Sequence, residues 1–251
     1  SGKLLHINID PSALHLVHRA DIAINGDAAF CLAALCNHLN AEAGDEMFTA
    51  RVLTSAAEVK QGLRQRIGKD YEAIMDGMRR MLPDDALIVR DTTVPAYNFA
   101  TQLLPVYQRR SFMGPCSAAI GPGLPLAIGA ASAAGRRTLL INGDGGFMLH
   151  ATEMATAAQY DLPIIICIFN DGGYGVLRGL QTNAFEGRVG DVNLGFMDFV
   201  LMAKSMGVPG QAVKSLADFE QGFKAACSAR GPYLLDIDMR CFELMKGSLL
   251  E

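Results

Sequence analysis

Two apolar segments, each followed by a glycine-rich polar turn, place the strongest constraint on the fold of this chain. Thr138–Asn142 and Pro163–Phe169 are short continuous runs typical of strands buried on both faces. The helical segment His150–Tyr160 separates them. Two strands joined through a helix lie parallel in one sheet. This arrangement predicts an α/β fold.

The alternation of strands and helices continues on both sides of this unit. A helix ends before Pro83, and a glycine, Gly135, is suited to stop the Ala-rich helix that precedes it. The predicted elements are a helix over 71–81, a strand over 86–90, a helix over 122–134, helices over 197–206 and 216–228, and a strand over 233–238. The pattern predicts a doubly wound parallel sheet covered by helices on both faces.

The N-terminal segment has a different organisation. It contains two short strand candidates, Leu4–Ile9 and Ile22–Ile24, and one helix over Ala28–Leu39. Two strands and one helix bury too little apolar surface for an independent domain. We therefore expect this segment to be the end of a larger domain.

Composition and charge exclude several classes of function. The net charge is −4 and no run of five Lys or Arg occurs, so neither a nucleic-acid surface nor an anionic membrane surface is expected. No apolar stretch reaches the roughly 18 residues that span a bilayer. The 6 cysteines are scattered without a CxxC pair, which is typical of reduced thiols. A cytoplasmic protein acting on small molecules is expected.

The two polar turns are the predicted functional site. Gly143–Gly146 and Asn170–Gly173 both follow strands, and ligands of open parallel sheets bind at the carboxyl ends of strands. Neighbouring strands lie about 4.8 Å apart, so Asp144 and Asp171 can share one hard cation. Backbone N–H groups of the glycines and the following helix N-terminus favour phosphate oxygens. A diphosphate bridged by Mg²⁺ is the expected ligand.

Glycines and aspartates are also ordinary turn formers, and a lone GDG is more often structural than functional. The second turn, together with the intervening helix and apolar strand, favours the functional interpretation. A nucleotide P-loop is excluded because GxxxxGK[ST] does not occur, and a dinucleotide fingerprint because GxGxxG does not follow a strand.

Gly143-Asp144-Gly145 followed by Asn170-Asp171 resembles the GDG...NN cofactor signature of thiamine-diphosphate-dependent enzymes. The resemblance implies that Asp144, Asp171 and the main-chain oxygen of Gly173 bind Mg²⁺. It also implies cofactor contacts by the surrounding turn residues, which are Gly143, Gly145, Gly146 and Tyr174. Asp171 stands where the family usually has Asn. Both side chains offer an oxygen, and the hypothesis is that the added charge strengthens cation binding or alters its selectivity.

A second segment, Ala118–Ala130, is similar to the GxGLPxAIGA motif of the 2-oxo acid decarboxylase and acetolactate synthase group. The resemblance implies that Ile120 props the cofactor into a bent shape and that the carbonyl of Ala118 accepts from its aminopyrimidine. Ile120 is alternatively a plain core residue. Thr92 and Thr93 stand where relatives contact the diphosphate, although they are equally well interpreted as loop residues.

The resemblance also assigns domains. Residues 4–27 resemble the end of the group's Rossmann-like middle domain. The predicted organisation is the C-terminal part of that domain over 1–44, a connecting segment over 45–70, a diphosphate-binding domain over 71–243 and a tail over 244–251.

In this family an activating glutamate lies on a separate pyrimidine-binding domain, and nothing in this chain corresponds to that domain. The candidate glutamates Glu42, Glu46, Glu58 and Glu72 are interpreted as surface charges. The resemblance therefore implies a partner domain or chain that carries the glutamate, in at least a dimer. The chain alone is predicted to be inactive. FAD is possible in this group, and the sequence does not support it.

The implied activity is thiamine-diphosphate- and Mg²⁺-dependent decarboxylation or carboligation of a small 2-oxo acid. The alternative is a non-catalytic or regulatory subunit with the same fold. Tyr174–Arg178 resembles benzoylformate decarboxylase, and pyruvate-decarboxylase-type relatives have Glu at the position of Leu177. Val176 and Leu177 are predicted to line the substrate pocket, or else to pack a helix. His150 is a weak acid or base candidate and is alternatively a capping or exposed residue.

Overall fold

The computed structural model describes residues 2–39, 46–195, 197–243 and 245. The chain divides into two compact units, residues 1–54 and 55–251. The four predicted domain assignments, with boundaries at 44, 70 and 243, stay predictions. Glu42 and most of the predicted 244–251 tail lie outside the described residues.

The first unit contains a small parallel ribbon and a helix. β1 (Leu5–Asn8) pairs in parallel with β2 (Ile22–Asn25), and α1 (Ala28–Cys36) follows. The carboxylate of Asp27 caps α1 by accepting from the N–H of Phe30 at 2.9 Å. No residue of α1 is buried, although its composition is strongly apolar.

A long helix occupies most of the segment predicted as a surface connection with some helix. α2 (Glu46–Ile67) begins in the first unit and ends in the second. Ile67, in its last turn, is its single buried residue. α3 (Lys69–Met81) follows and buries residues at helical spacing, including Tyr71, Ile74 and Met78.

The second unit is built on a parallel sheet of six strands in the order β4-β3-β5-β6-β8-β7. The strands are β3 (Leu87–Arg90), β4 (Phe112–Met113), β5 (Thr138–Gly143), β6 (Ile164–Asn170), β7 (Gly210–Val213) and β8 (Tyr233–Asp238). Every neighbouring pair is parallel. The predicted doubly wound α/β fold is thus confirmed.

Side chains of the central strands alternate between two separate cores. In β6, Ile165, Cys167 and Phe169 face one core, while Ile166 and Ile168 face the other. This period of two explains why the strand reads as an uninterrupted apolar run: both faces are buried.

Helices cover each face of this sheet. α3 and α9 (Leu216–Ser228) pack on the first core. On the second core lie α4 (Gly123–Ala134), α5 (Asp144–Met148), α6 (Met154–Gln159) and α8 (Phe199–Ser205). Gly135 ends α4 in a left-handed conformation with φ of 61°, as its position after an Ala-rich run predicts. Among the described residues, no helix is long and apolar enough to cross a membrane.

Several elements differ from the sequence-based expectations. The predicted crossover helix 150–160 begins already at Asp144 as α5 and breaks at His150 before α6. β4 and β7 are edge strands, and α7 (Gly175–Ala184) buries no residue. None of these three elements was predicted. Short, partly exposed elements lack the apolar periodicity on which such predictions depend.

Candidate functional site

A large cavity of the second unit lies where the strand order reverses. The chain leaves β3 toward β4 on one side and returns to β5 on the other, so the loops after β3 and β5 diverge there. The cavity measures about 600 Å³. Its lining includes most of the predicted cofactor contacts, which are Thr92, Thr93, Ala118, Ile120, Gly143, Gly145, Gly146, Gly173 and Tyr174.

A buried carboxylate, that of Asp91, organises the β3 side of this cavity. Asp91 is 0% exposed and accepts from the N–H groups of Gly121 at 3.0 Å, Gly123 at 2.7 Å and Thr92 at 2.5 Å. Gly123 begins α4, so the carboxylate also lies at a helix N-terminus, where negative charge is favoured. Asp91 thereby ties the loop after β3 to the loop before α4.

Two further side chains hold the loop that carries Ile120. The hydroxyl of Thr92 donates to the carbonyl of Ala119 at 2.8 Å, and Nδ1 of His150 donates to the carbonyl of Gly121 at 3.1 Å. Gly121 has φ of +100°, a conformation that a side chain would strain. Ile120, at 40% exposed, is therefore presented to the cavity by a fastened loop and is not a plain core residue.

The Gly143–Gly146 turn forms the floor of the cavity, and two of its glycines are required by close packing. A Cβ on Gly143 would lie 2.5 Å from the hydroxyl of Thr93. A Cβ on Gly145 would lie 2.7 Å from the ring of Tyr174. Thr93 and Tyr174 thus pack directly against the turn backbone, in agreement with their predicted places at the site.

Asp144 is buried at the beginning of α5, with 3% of its surface exposed. Burial, followed by the charge of Asp171, raises the pKa of Asp144 to about 7, against backbone hydrogen bonds from Gly145 and Gly173 that lower it. The carboxylates of Asp144 and Asp171 therefore interact, as expected for residues that directly follow the neighbouring strands β5 and β6.

The two oxygens of Asp171 have different surroundings. Oδ2 lies 3.4 Å from Nη1 of Arg178, whereas Oδ1 is buried without a hydrogen-bond partner in the described part of the chain. Burial raises the pKa of Asp171, and the neighbouring Arg178 charge lowers it. Arg178 was not predicted as a site residue, because a basic residue in an amphipathic segment is ordinarily a surface charge.

Asp144 and Asp171 line a smaller polar cavity of about 330 Å³, not the larger one. The two glycine-rich turns separate these cavities, with Gly143, Gly145 and Gly173 on one side and the two carboxylates on the other. Within the described residues, no three His, Cys, Asp or Glu side chains cluster in a way that could hold a metal ion. A cation here requires backbone or ligand oxygens in addition to the two carboxylates, and the unpartnered Oδ1 fits such a ligand.

Asn170, the first residue of the second signature pair, has a structural role. Its amide Nδ2 donates to Oδ1 of Asp236 at 3.1 Å, and its Oδ1 accepts from the N–H of Gly172 at 3.2 Å. The side chain links β6 to β8 and shapes the turn that places Asp171.

The predicted substrate residues Val176 and Leu177 lie in the first turn of α7 and line the larger cavity. Further lining residues were not predicted as site residues, namely Val94, Tyr97, Asn98, Gly175, Gly179 and Leu180. Tyr97 and Asn98 lie on a π-helical turn, Ala96–Ala100, which has no sequence signature of its own. None of the side chains that line this cavity carries a formal charge.

His150, the weak catalytic candidate, does not line either of these cavities. It lies between α5 and α6, directly before the 3-10 turn Ala151–Glu153, and its ring bonds to the backbone of Gly121. The structure therefore supports the structural interpretation of His150.

Comparison with known proteins gives a match to the model of the family described as thiamine pyrophosphate enzyme, C-terminal TPP binding domain. The match covers residues 95–237. It contains both glycine-rich turns, the α4 loop and α7.

Individual relatives share this similarity over nearly the whole chain. A Methanocaldococcus jannaschii protein named "Probable acetolactate synthase large subunit" is 32% identical over 94% of this chain and 42% of its own length. A Pseudomonas aeruginosa protein named "Probable 2-ketoarginine decarboxylase" is 30% identical over 96% of this chain and 43% of its own length. The chain thus spans less than half the length of these relatives.

Among solved structures, the thiamine diphosphate-dependent 4-hydroxybenzoylformate decarboxylase of Rhodococcus jostii RHA1 matches with a TM-score of 0.71 and 28% identity. The match covers 94% of this chain and 44% of that chain.

Proposed function

The chain belongs to the thiamine pyrophosphate enzymes, whose C-terminal TPP-binding domain it carries, and from this we propose that it supplies the diphosphate and Mg²⁺ half of an active site that decarboxylates or joins 2-oxo acids. The observation that carries the proposal is the glycine-floored cavity at the switch point between β3 and β5. Its position is where ligands of open parallel sheets bind.

The residues of the larger cavity fit the cofactor. Gly143, Gly145 and Gly146 let the backbone approach a diphosphate. Ile120, exposed on its fastened loop, supplies an apolar support beside the diphosphate floor. Bound thiamine diphosphate supplies the carbon nucleophile and the electron sink for 2-oxo acid chemistry.

For Mg²⁺, the proposed ligands are Asp144, Asp171 and the carbonyl of Gly173. Hard oxygen atoms are the ligands that Mg²⁺ prefers, and it completes its shell with phosphate oxygens and waters. The raised pKa of Asp144 and the unpartnered Oδ1 of Asp171 both indicate negative charge that a bound cation compensates. The Asp at position 171 leaves this ligand chemistry intact.

The side chain of the substrate is proposed to be uncharged. Val94, Ile120, Val176, Leu177 and Leu180 give the cavity apolar walls, and its lining holds no charged group to pair with a cationic substrate. Pyruvate and aromatic 2-oxo acids fit this half of the site better than 2-ketoarginine, although one relative bears that name.

The activating glutamate is proposed to come from a pyrimidine-binding domain, on another chain or elsewhere in a longer protein. The chain spans about 42% of its acetolactate-synthase-named relative, which leaves room there for such a domain. Isolated residues 1–251 are therefore expected to bind Mg²⁺ and diphosphate without turning over a 2-oxo acid.

The test mixes the chain with a pyrimidine-binding domain and measures carbon dioxide release from pyruvate, benzoylformate and 2-ketoarginine. Turnover of the first two, dependent on Mg²⁺ and thiamine diphosphate, is expected. Asp144→Ala is the loss-of-site variant, and Asp198→Ala, which removes an exposed helix cap outside both cavities, is its matched control.

Each outcome selects one interpretation. Cofactor binding without turnover in the complete complex points to a regulatory subunit instead. Turnover by residues 1–251 alone overturns the proposed need for a partner domain. Failure of the chain and the complex to bind Mg²⁺ with thiamine diphosphate overturns the proposed site itself.

A further inference from the structure

Arg178 connects the two segments that frame the polar cavity. Its Nη1 lies 3.4 Å from Oδ2 of Asp171, and its Nη2 donates to Oδ1 of Asn193 at 3.1 Å. The guanidinium group is a planar fork whose donors point in fixed directions, so it can hold two acceptors at once. One side chain thus links the turn after β6 to residues well beyond α7.

The guanidinium also lies against the backbone of Gly173. A Cβ on Gly173 would collide with the carbonyl oxygen of Val192, so this residue must lack a side chain, and it would also lie 2.7 Å from Nη2 of Arg178. The same turn pairs with the following segment: the N–H of Tyr174 donates to the carbonyl of Val192 at 2.8 Å, and that of Leu194 to Gly172 at 2.9 Å. Arg178 therefore adds side-chain contacts between the turn after β6 and residues 192–194, which backbone hydrogen bonds already join.

The carboxylate of Asp171 is fixed from the helix side as well. A Cβ on Gly175, the first residue of α7, would collide with Oδ2. With Oδ2 enclosed by Gly175 and Arg178, only Oδ1 remains without a partner. A buried acceptor without a hydrogen bond is destabilising, and its retention indicates an atom that a ligand completes.

We propose that Arg178 is a positioning residue for the divalent cation: it holds Oδ2 of Asp171, directs Oδ1 toward the ion, and steadies the Gly173 carbonyl through Asn193. The inference rests on the proposed function, because it concerns what orders the cation ligands of that site. Groups that orient metal ligands typically change metal affinity by about 10- to 100-fold when removed.

Charge and orientation have opposite consequences for cation binding. Removing a positive charge beside Asp171 favours a cation electrostatically. Losing the guanidinium group leaves the Asp171 carboxylate and the turn after β6 free to move, which disfavours cation binding. The sign of the change in Mg²⁺ affinity therefore distinguishes a positioning role from a merely neutralising one.

The experiment titrates Mg²⁺ into the 251-residue chain in the presence of inorganic diphosphate, using calorimetry. Arg178→Gln is expected to weaken Mg²⁺ binding by about 10-fold despite the lost positive charge. Arg178→Lys keeps the charge but lacks the fork, so it is expected to weaken binding similarly. Asn193→Ala is expected to have a smaller effect that does not add to that of Arg178→Gln.

Two controls account for charge. Arg188→Gln removes one positive charge from an exposed residue outside both cavities and is expected to leave Mg²⁺ affinity unchanged. Arg240→Gln removes a positive charge that lines the polar cavity and pairs with Asp238, and it is expected to tighten Mg²⁺ binding, which is the sign that loss of charge alone gives. Circular dichroism in EDTA verifies that each variant folds. Where Arg178→Gln does not fold, the Mg²⁺ affinity of Asn193→Ala tests the positioning role in its place.

Tight Mg²⁺ binding by a folded Arg178→Gln variant, or by Asn193→Ala in its place, contradicts the positioning role while leaving the proposed function intact. Rescue of affinity by Arg178→Lys contradicts the need for the planar guanidinium group, since a single ammonium donor then suffices. Absence of Mg²⁺ and diphosphate binding in the unchanged chain overturns the proposed function and this inference together.

Discussion

Asp91 and Asp171 each directly follow a strand of the same sheet, β3 and β6 respectively, yet their carboxylates have opposite hydrogen-bonding environments. Asp91, after β3, is completely buried and accepts from three backbone N–H groups, those of Thr92, Gly121 and Gly123. Asp171, after β6, has one long ion pair and one buried oxygen without a partner. A satisfied carboxylate builds the site, whereas an unsatisfied one is kept for a ligand.

Whether a buried carboxylate has hydrogen-bond partners distinguishes acidic residues that hold the structure from those that bind a ligand. The residue type alone does not distinguish them. The hydrogen bonds of Asp91 hold the loop that presents Ile120, so it acts on the cofactor side only through backbone geometry. Burial raises the pKa of both Asp144 and Asp171, and the charge of Asp171 raises that of Asp144 further, which a cation relieves. Substitutions at the two kinds of acid should therefore diverge in stability and in ligand binding.

The largest expected effect is on stability, from Asp91→Ala. The substitution leaves buried N–H groups of Gly121 and Gly123 without an acceptor, and we expect a loss of about 3–4 kcal/mol in the free energy of unfolding. Urea denaturation measures it. The matched control is Asp198→Ala, which removes a single exposed cap on α8 and is expected to cost about 1 kcal/mol. Equal losses would show that Asp91 is no more than another cap.

The next effect concerns the glycine floor. Gly143→Ala places a methyl group 2.5 Å from the hydroxyl of Thr93, at the fully buried end of β5, and is expected to cost about 2 kcal/mol and to weaken diphosphate binding. Gly129→Ala is the control, because a Cβ there has no neighbour within 4 Å in the interior of α4. It is expected to stabilise the chain by about 0.5–1 kcal/mol. A stabilising Gly143→Ala would contradict the required close approach.

An effect of on the order of 2 kcal/mol is expected from the titration of Asp144. Its folded pKa, about 7, lies above the ordinary value of 3.8. Between these values the folded chain retains a proton that the unfolded chain has released, so stability falls as pH rises from about 4 to about 7. Asp144→Asn is expected to flatten this fall, measured by urea denaturation at pH 5 and 8 in EDTA.

A comparison of Asp144 with Asp236 distinguishes the effect of cation binding on stability from the effect of titrating a buried carboxylate. Burial, the largest cause, raises the pKa of Asp236 to about 6, so its titration has the same sign. Added Mg²⁺ is expected to restore stability at pH 8 in the unchanged chain and in Asp236→Asn, but not in Asp144→Asn. Equal recovery in both variants would place the cation away from Asp144.

Much of the central fold follows from the sequence, because buried parallel strands are long apolar runs. β6 and α9 illustrate this: the strand was predicted within one residue at each end and the helix 216–228 at its exact bounds. β7 escaped prediction, since a half-exposed edge strand has no clear apolar period. α7 was not predicted either, although its sequence is amphipathic.

The site divides in the same way. The glycine turns and Ile120 were identifiable because they lie in family motifs, whereas Thr92 and Thr93 were equally well interpreted as loop residues. All of these line the cavity. Asp91 was not among the predicted site residues, and Arg178 was noted only as the last residue of the run Tyr174–Arg178. Their roles depend on which backbone and side-chain atoms the fold brings near them, and those contacts span about 30 residues for Asp91.

The smallest effect on stability is expected from Ile120→Ala. This variant distinguishes binding of the whole cofactor from binding of its diphosphate group. Ile120 is 40% exposed, so its truncation is expected to cost less than about 1 kcal/mol, similar to Leu201→Ala at another exposed site. Affinity for inorganic diphosphate should stay unchanged, because the glycine floor remains. Affinity of the complete complex for thiamine diphosphate should fall, since the apolar support is lost. Parallel weakening of both ligands would instead show that the loop held by Asp91 shapes the diphosphate floor itself.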